Sequence, residues 1–361
     1  MKLKTFLAGA AAVALLAGPA AADTLTVVSW GGAYTKSQVE AYHKPWMKKT
    51  GHTIISEDYN GGLAEIKSQV QAGNVTWDVV DVELSDAVRG CDEGLLEEID
   101  PSILPPAPDG TPAEEDFIEG AIQPCAVANI VWSTIYAYDT TKFPADKAPK
   151  TIADFFDVEK FPGKRGMRKT PKANLEFALA ADGVPSDKIY EVLSTPEGVD
   201  RAFKVLDRIK DHVVWWEAGA QPPQLLADGE VVMTTAYNGR IFNAIAAEKK
   251  PFKVVWDHQV FDMDLWVIPK GSKKKDLALD FIAFSTATEQ LAAQASWISY
   301  GPARKSSMKL IGTYHSDPSI DMKEHMPTNP KNFATAIRND FEFWADHQDE
   351  LNERFNAWLA K

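Results

Sequence analysis

The stretch Leu25-Thr26-Val27-Val28-Ser29-Trp30-Gly31-Gly32 is a short apolar strand that breaks into a glycine turn. Two glycines in succession end an extended segment because neither carries a Cβ to restrict φ. A helix is predicted from Tyr34 to Thr50, stopped by Gly51. A second strand spans His52 to Ser56, a second helix Leu63 to Ala72, and a third, largely apolar strand Asp78 to Val82. A strand covered on both faces reads this way in the middle of a parallel sheet. Strand, helix, strand in this rhythm predicts βαβ units, and so an α/β chain with a doubly wound lobe.

The same rhythm resumes downstream. Pro101, Pro105, Pro106, Pro108 and Pro112 mark a surface loop, and Ala128 to Tyr138 is a long apolar strand without breakers. A strand of that length can leave one lobe and enter another. Ile152 to Phe156 reads as a short helix, and Gly163-Lys164-Arg165-Gly166 as a turn into a strand. Helices are predicted over Leu175 to Ala181, Asp187 to Leu193 and Pro196 to Lys210, the last with Val199, Ala202, Phe203, Leu206 and Ile209 at helical spacing. Val231 to Thr235, Phe252 to Trp256 and Leu265 to Pro269 read as three strands, and Leu277 to Phe284 opens a helix. The tail, Phe333 to Leu359, reads as one helix carrying Trp344, Leu351, Phe355 and Trp358.

Upstream of the first strand, Lys2 and Lys4 precede an apolar run from Phe6 to Leu16, then Gly18-Pro19 and Ala20-Ala21-Ala22. That is the layout of a cleavable secretory signal over residues 1–22, with cleavage expected after Ala22. The run is shorter than the ~20 residues that span a bilayer, and no Cys follows to carry a lipid. Without Lys2 and Lys4, 36 basic residues face 51 acidic ones, moving the net charge from -13 to about -15. Such a balance argues against nucleic acid, whose binding rests on basic side chains neutralising phosphates. Cys91 and Cys125, two cysteines in an oxidising compartment, are expected to form a disulfide.

Enzyme motifs are missing. There is no Gly-x-Ser-x-Gly elbow and no Gly-x-x-x-x-Gly-Lys loop, and the seven His residues show no pair at metal-ligand spacing. No cofactor and no metal site is expected, and an exported hydrolase, the rival class, lacks a nucleophile–base pair. What remains is a set of aromatic and charged residues around strand ends, where open α/β sheets take ligands. Trp30 and Tyr34 follow the first strand, Glu83 and Ser85 the third, and Tyr237, Asn238 and Arg240 the Val231 strand, while Asp262 and Asp264 precede the return strand. Aromatic faces with a carboxylate suit an ammonium group, because rings attract cations and the carboxylate accepts charged hydrogen bonds.

Several blocks in order resemble the spermidine/putrescine-binding branch of periplasmic receptors for ATP-binding-cassette (ABC) importers. They are Val28-Ser29-Trp30-Gly31-Gly32, Glu93 to Asp100, Thr234 to Arg240, and Asp264-Leu265-Trp266-Val267-Ile268-Pro269-Lys270. The resemblance implies a type II periplasmic binding fold, two doubly wound α/β lobes joined by a two-crossover hinge near Ala137 and Asp262. It divides the chain into residues 23–136 with 263–305, and 137–262 with 306–361. It also implies a periplasmic, monomeric, substrate-binding component that hands an amine-bearing solute to a permease in the inner membrane. The pocket aromatic of that branch falls on Trp30 or Tyr34, its stacking Trp on Tyr237, and its ammonium-binding Asp on Asp264.

The departures narrow the ligand. Polyamine receptors draw further carboxylates from the second lobe, where this chain has the basic segment Met167-Arg168-Lys169-Thr170-Pro171-Lys172-Ala173-Asn174. The second Trp of that pocket is replaced by Asp262, and Arg240 stands where a small or apolar residue would suit a methylene chain. A dication needs an acceptor at each end, since a buried ammonium without a partner is costly. One carboxylate end, Asp264 with Asp262, and one cationic end, Arg240 with Arg168, match a zwitterion. An ω-amino acid such as 4-aminobutanoate (GABA) is expected, with a polyamine (putrescine or spermidine) as the alternative.

Overall fold

A computed structural model describes residues 22–361. The signal segment expected over residues 1–22 therefore falls, except for Ala22, outside the described residues. Strands β1 (Thr24–Ser29), β2 (Thr53–Asp58) and β3 (Val79–Glu83) are parallel, with β1 between the other two. The first crossover is helical from Gly32 to Thr50, with a π turn over Val39–His43, and Gly51 ends it at φ +79°. The second is the helix Ala64–Gln71.

Two long strands then organise everything else. β4 (Ala126–Asp139) is buried along all fourteen residues. β5 (Arg165–Arg168), β6 (Val213–Trp216) and β7 (Met233–Tyr237) form a second parallel group, and β8 (Phe252–Val267) returns over sixteen residues. β4 and β8 pair antiparallel from Ala126 opposite Val267 to Asp139 opposite Phe252, with register shifts between Ala128 and Ile130 and between Thr134 and Tyr136. Because β3 joins one end of β8 and β7 one end of β4, the sheet is continuous: β2-β1-β3-β8-β4-β7-β5-β6.

Two large cores flank this shared pair. One gathers Val27, Val79, Leu84, Val131, Trp266 and Phe281; the other gathers Tyr136, Phe155, Phe177, Leu206, Val260 and Trp344. Cys91 and Cys125 are joined by a disulfide beside the first core.

Most element ends shift from the sequence reading by a residue or two, and three boundaries differ by more. Phe252–Trp256 and Leu265–Pro269, expected as separate strands, belong to the single strand β8. The polar interval between them hides the continuity: Asp257 accepts from the Ile152 amide, and Gln259 donates to the carbonyls of Pro327 and Asn332. These side chains serve neighbouring loops, and the backbone kinks there, with His258 at φ +54° and a shift of register against β4, before the strand resumes. The tail helix runs Phe341–Leu359, not from Phe333, because Asp340 caps it through the Phe343 amide and Ile337–Arg338 pairs parallel with β8. The helix expected to Lys210 stops at Asp207.

Candidate functional site

A narrow cavity opens between the two cores, and Trp30, Glu83, Trp132, Tyr237, Arg240 and Asp264 line it together with Tyr34 and Tyr300. Local structure explains how each arrives there. β1 ends at Ser29, and positive φ at Gly31 (+73°) and Gly32 (+60°) turns the chain into its helix, leaving the Trp30 ring at the mouth. That ring lies against Gly61, where a Cβ would come within 2.2 Å of it. The loop can approach so closely only because the residue is glycine. Tyr34, on the first helix turn, is buried and donates its hydroxyl to Asn129 Oδ1 at 3.1 Å.

The β3–β8 register sets Glu83 directly opposite Asp264. Cross-strand neighbours of this kind bring their side chains onto one face. Asp264 Oδ1 accepts from Trp132 Nε1 at 2.6 Å. Burial, and after it the charges of Asp81, Glu83 and Asp262, pushes the Asp264 carboxyl well above the usual carboxylate range. Asp81, one layer behind, accepts from Ser29, Gln38 and Asn129, and burial lifts it to about 6 against those hydrogen bonds.

Tyr237 closes β7 and precedes the helix Asn238–Ala246. Its ring stands edge-on to Trp132 at 5.0 Å and to Trp216 at 5.6 Å, while Tyr300 stands edge-on to Tyr34 at 5.2 Å. Arg240, one turn into that helix, reaches across the cleft. Its Nη1 donates to the Gly31 carbonyl at 2.7 Å and its Nη2 to the Trp30 carbonyl at 2.8 Å, and its buried Nε has no partner among the described residues.

A second narrow space adjoins the first, sharing Glu83, Trp132 and Tyr237 and adding Arg168, Lys172 and Asp262. Lys172 Nζ donates to Glu83 Oε2 and to Ser85 Oγ, each at 2.7 Å. Arg168 Nη1 donates to Glu83 Oε1 at 3.3 Å and its Nη2 to the Asn60 carbonyl. Burial alone would raise the Glu83 carboxyl, but Lys172 and then Arg168 more than offset it and hold it low. Asp262 differs: burial lifts it to about 7, with Lys172 opposing, while its oxygens accept from the Met263 amide and from Asn339 Nδ2.

Set against known proteins, the bacterial extracellular solute-binding protein model matches residues 41–328. The chain belongs to that family. It is 46% identical over 347 residues to the gamma-aminobutyric acid-binding protein of Pseudomonas aeruginosa, covering 96% of this chain and 93% of the relative. Among solved structures, the PBP MotA of A. tumefaciens B6 in complex with glucopine superposes with a TM-score of 0.84 at 31% identity, over 93% of this chain and 99% of that one. A GABA receptor superposes with a TM-score of 0.78 at 34% identity, over 94% and 98%. The fold is therefore the type II periplasmic binding fold, and the protein is a solute-binding protein of ABC transport, not an enzyme.

Within this solute-binding protein, Trp30, Tyr34, Glu83, Tyr237, Arg240 and Asp264 come together in one cavity, and Arg168 and Asp262 border the next. Ser85 lines neither: it lies buried behind them as the acceptor of Lys172. The sequence reading set Arg240 with Arg168 as the cationic end of the pocket, and the structure adds what they reach. Both sets of terminal nitrogens are already directed at groups across the cleft: Trp30, Gly31, Asn60 and Glu83. Trp132, Trp216 and Tyr300 were not singled out in the sequence. Trp132 is one residue in an unbroken apolar strand, and Tyr300 follows a helix with no local marker. Only Lys172 carried a signal, as part of the basic segment. Among the described residues no group of acidic, His and Cys side chains is arranged to hold a metal.

Proposed function

We propose that this protein captures 4-aminobutanoate in the periplasm and delivers it to the membrane permease of an ABC importer. Residues 1–22 serve as the export signal, and the mature chain works as a monomer. The observation that carries the ligand is the charge inventory of the first cavity. Among the described residues the Asp264 carboxyl accepts a hydrogen bond only from the Trp132 indole, and Arg240 is a guanidinium with an open Nε. Between them the wall is aromatic: Trp30, Tyr34, Trp132, Tyr237 and Tyr300. An ammonium fits Asp264 and the ring faces, and a carboxylate fits Arg240 with the neighbouring tyrosine hydroxyls. The name of the Pseudomonas relative supports the same ligand. A polyamine would need a second free carboxylate, and Glu83 is held by Lys172 and Arg168.

The roles proposed for Trp30, Tyr34, Tyr237, Arg240, Asp262 and Asp264 follow from this, as does the division into lobes 23–136 with 263–305 and 137–262 with 306–361. Contacts that cross the cleft, from Arg240 to Trp30 and Gly31 and from Arg168 to Asn60, exist only when the lobes meet. A ligand that touches both lobes shifts the population toward that closed form. Calorimetric titration of the mature protein with 4-aminobutanoate, putrescine and spermidine tests the reading. Binding of 4-aminobutanoate with no response to the diamine is expected. Tight putrescine binding without heat from 4-aminobutanoate would overturn it.

A further inference from the structure

The register that faces Glu83 with Asp264 places two carboxylates in a single cavity. Two acids side by side in a buried site are the makings of a site for multiply charged amines. Here one of the two acids is already engaged. From the far side of the cleft, the segment that follows β5 sends Lys172 and Arg168 onto Glu83 at 2.7 and 3.3 Å. Lys172 is buried to 9% side-chain exposure and Glu83 to 6%, so solvent does little to screen the pair. Around the two adjoining spaces, Glu83, Asp262 and Asp264 then face Arg168, Lys172 and Arg240, three acids against three cations. With all six groups ionised, the formal charge of the wall is zero.

We infer that Lys172 and Arg168 set the charge class of the solute: by occupying Glu83 on closure they reserve the cavity for ligands of zero net charge and turn diamines away. The inference rests on the proposed 4-aminobutanoate reading and adds to it the residues that exclude the rival class. The logic is that of specificity by an element acting against the competitor. A diamine entering the open cleft brings a second ammonium that needs Glu83, and Lys172 must then be displaced from the same carboxylate for the lobes to meet. A zwitterion makes no such demand. Lys172 acts through Glu83 and is a positioning residue, while Arg168, stacked 5.9 Å over Trp30 and 5.8 Å over Tyr237, also borders the ligand space.

The test compares 4-aminobutanoate with putrescine by calorimetry on the full mature protein, the double variant Arg168→Met/Lys172→Met, and the triple variant that adds Glu83→Gln. The double variant shifts the formal charge of the wall by −2 and frees the one carboxylate of Glu83, and its preference for putrescine over 4-aminobutanoate should rise roughly tenfold or more relative to wild type. The triple variant should lose that gain, because the freed carboxylate is gone, and Lys172→Arg should keep the wild-type preference. Arg168→Met alone, at a partly exposed position, should move the preference the same way by less, and stands as the test if the double variant does not fold. An unchanged preference in a folded double variant, or in Arg168→Met alone, overturns the inference. Failure of wild type to bind 4-aminobutanoate would instead count against the proposed ligand, because the inference is read from the change between variants.

Discussion

Replacing Asp264 by Asn is the most direct probe of the ammonium site. Asn keeps an acceptor for Trp132 Nε1 and the same volume, so the β3–β8 pairing and the aromatic wall should be retained. What is lost is the charge. Leaving a buried ion without its partner costs about 3–5 kcal/mol, which corresponds to a roughly 150- to 5000-fold weaker complex. The Asn carbonyl can still accept one ammonium hydrogen bond, so a loss of about two orders of magnitude in 4-aminobutanoate affinity is expected. A second readout is independent of the size of that loss. Burial and the nearby Asp81, Glu83 and Asp262 push the Asp264 carboxyl well above its ordinary range in the empty site. An arriving ammonium favours the ionised form and expels a proton. Binding to wild type should therefore release protons, and affinity should rise with pH until Asp264 is ionised. Calorimetry in two buffers of different ionisation enthalpy measures the release directly, and Asp264→Asn should reduce it. Affinity within about threefold of wild type, or equal proton release in the two proteins, would refute the placement of the ammonium.

Arg240→Met removes the two hydrogen bonds to Trp30 and Gly31 and the proposed carboxylate partner. At about 1.5–3 kcal/mol per hydrogen bond to a charged group, 4-aminobutanoate binding should fall by at least about a hundredfold. Small-angle scattering should show a more open ligand-free molecule, and unchanged affinity would exclude the role. Asp262, raised to about 7 by burial, should make the ligand-free protein less stable as pH rises. Its contribution is complete below the unfolded value near ~4 and is lost as pH climbs through about 7, on the order of 1 kcal/mol per pH unit. Thermal melts from pH 4.5 to 7.5 should show wild type losing ground to Asp262→Asn, and parallel curves would contradict the shift. Replacing Cys91 and Cys125 by Ser opens a loop of sequence separation 34 and should cost about 3–4 kcal/mol, read as a lower midpoint in urea.

Much of the fold was legible because its first units follow local rules. The apolar β1 and β3, the glycine turn at Gly31-Gly32 and the stop at Gly51 all act over a few residues. β8 was not legible as one strand, since Asp257, His258 and Gln259 break its apolar pattern for the sake of loops that arrive from elsewhere in the chain. The site divides in the same way. Trp30, Glu83, Tyr237 and Asp264 lie at strand ends, where a ligand-facing role can be guessed from position. Trp132 looks like any interior residue of β4, and its role comes only from the neighbour that presents Asp264 to it. The guanidinium groups of Arg168 and Arg240 were visible as charges, but what they reach lies across a cleft, and sequence spacing holds no information about that distance.

The antiparallel pair β4–β8 also has a consequence for how the chain reaches this state. β3 finds its inner neighbour only in residues 264–267, so the first sheet lacks a strand until nearly three-quarters of the polypeptide is available. The contact is long in sequence, and its closure entropy must be met before burial of Trp266 against the first core offsets it. A chain emerging N-terminus first would thus carry β1, β2 and β3 as an unfinished half. The strand that completes the first half is the same one that pairs along β4 into the second.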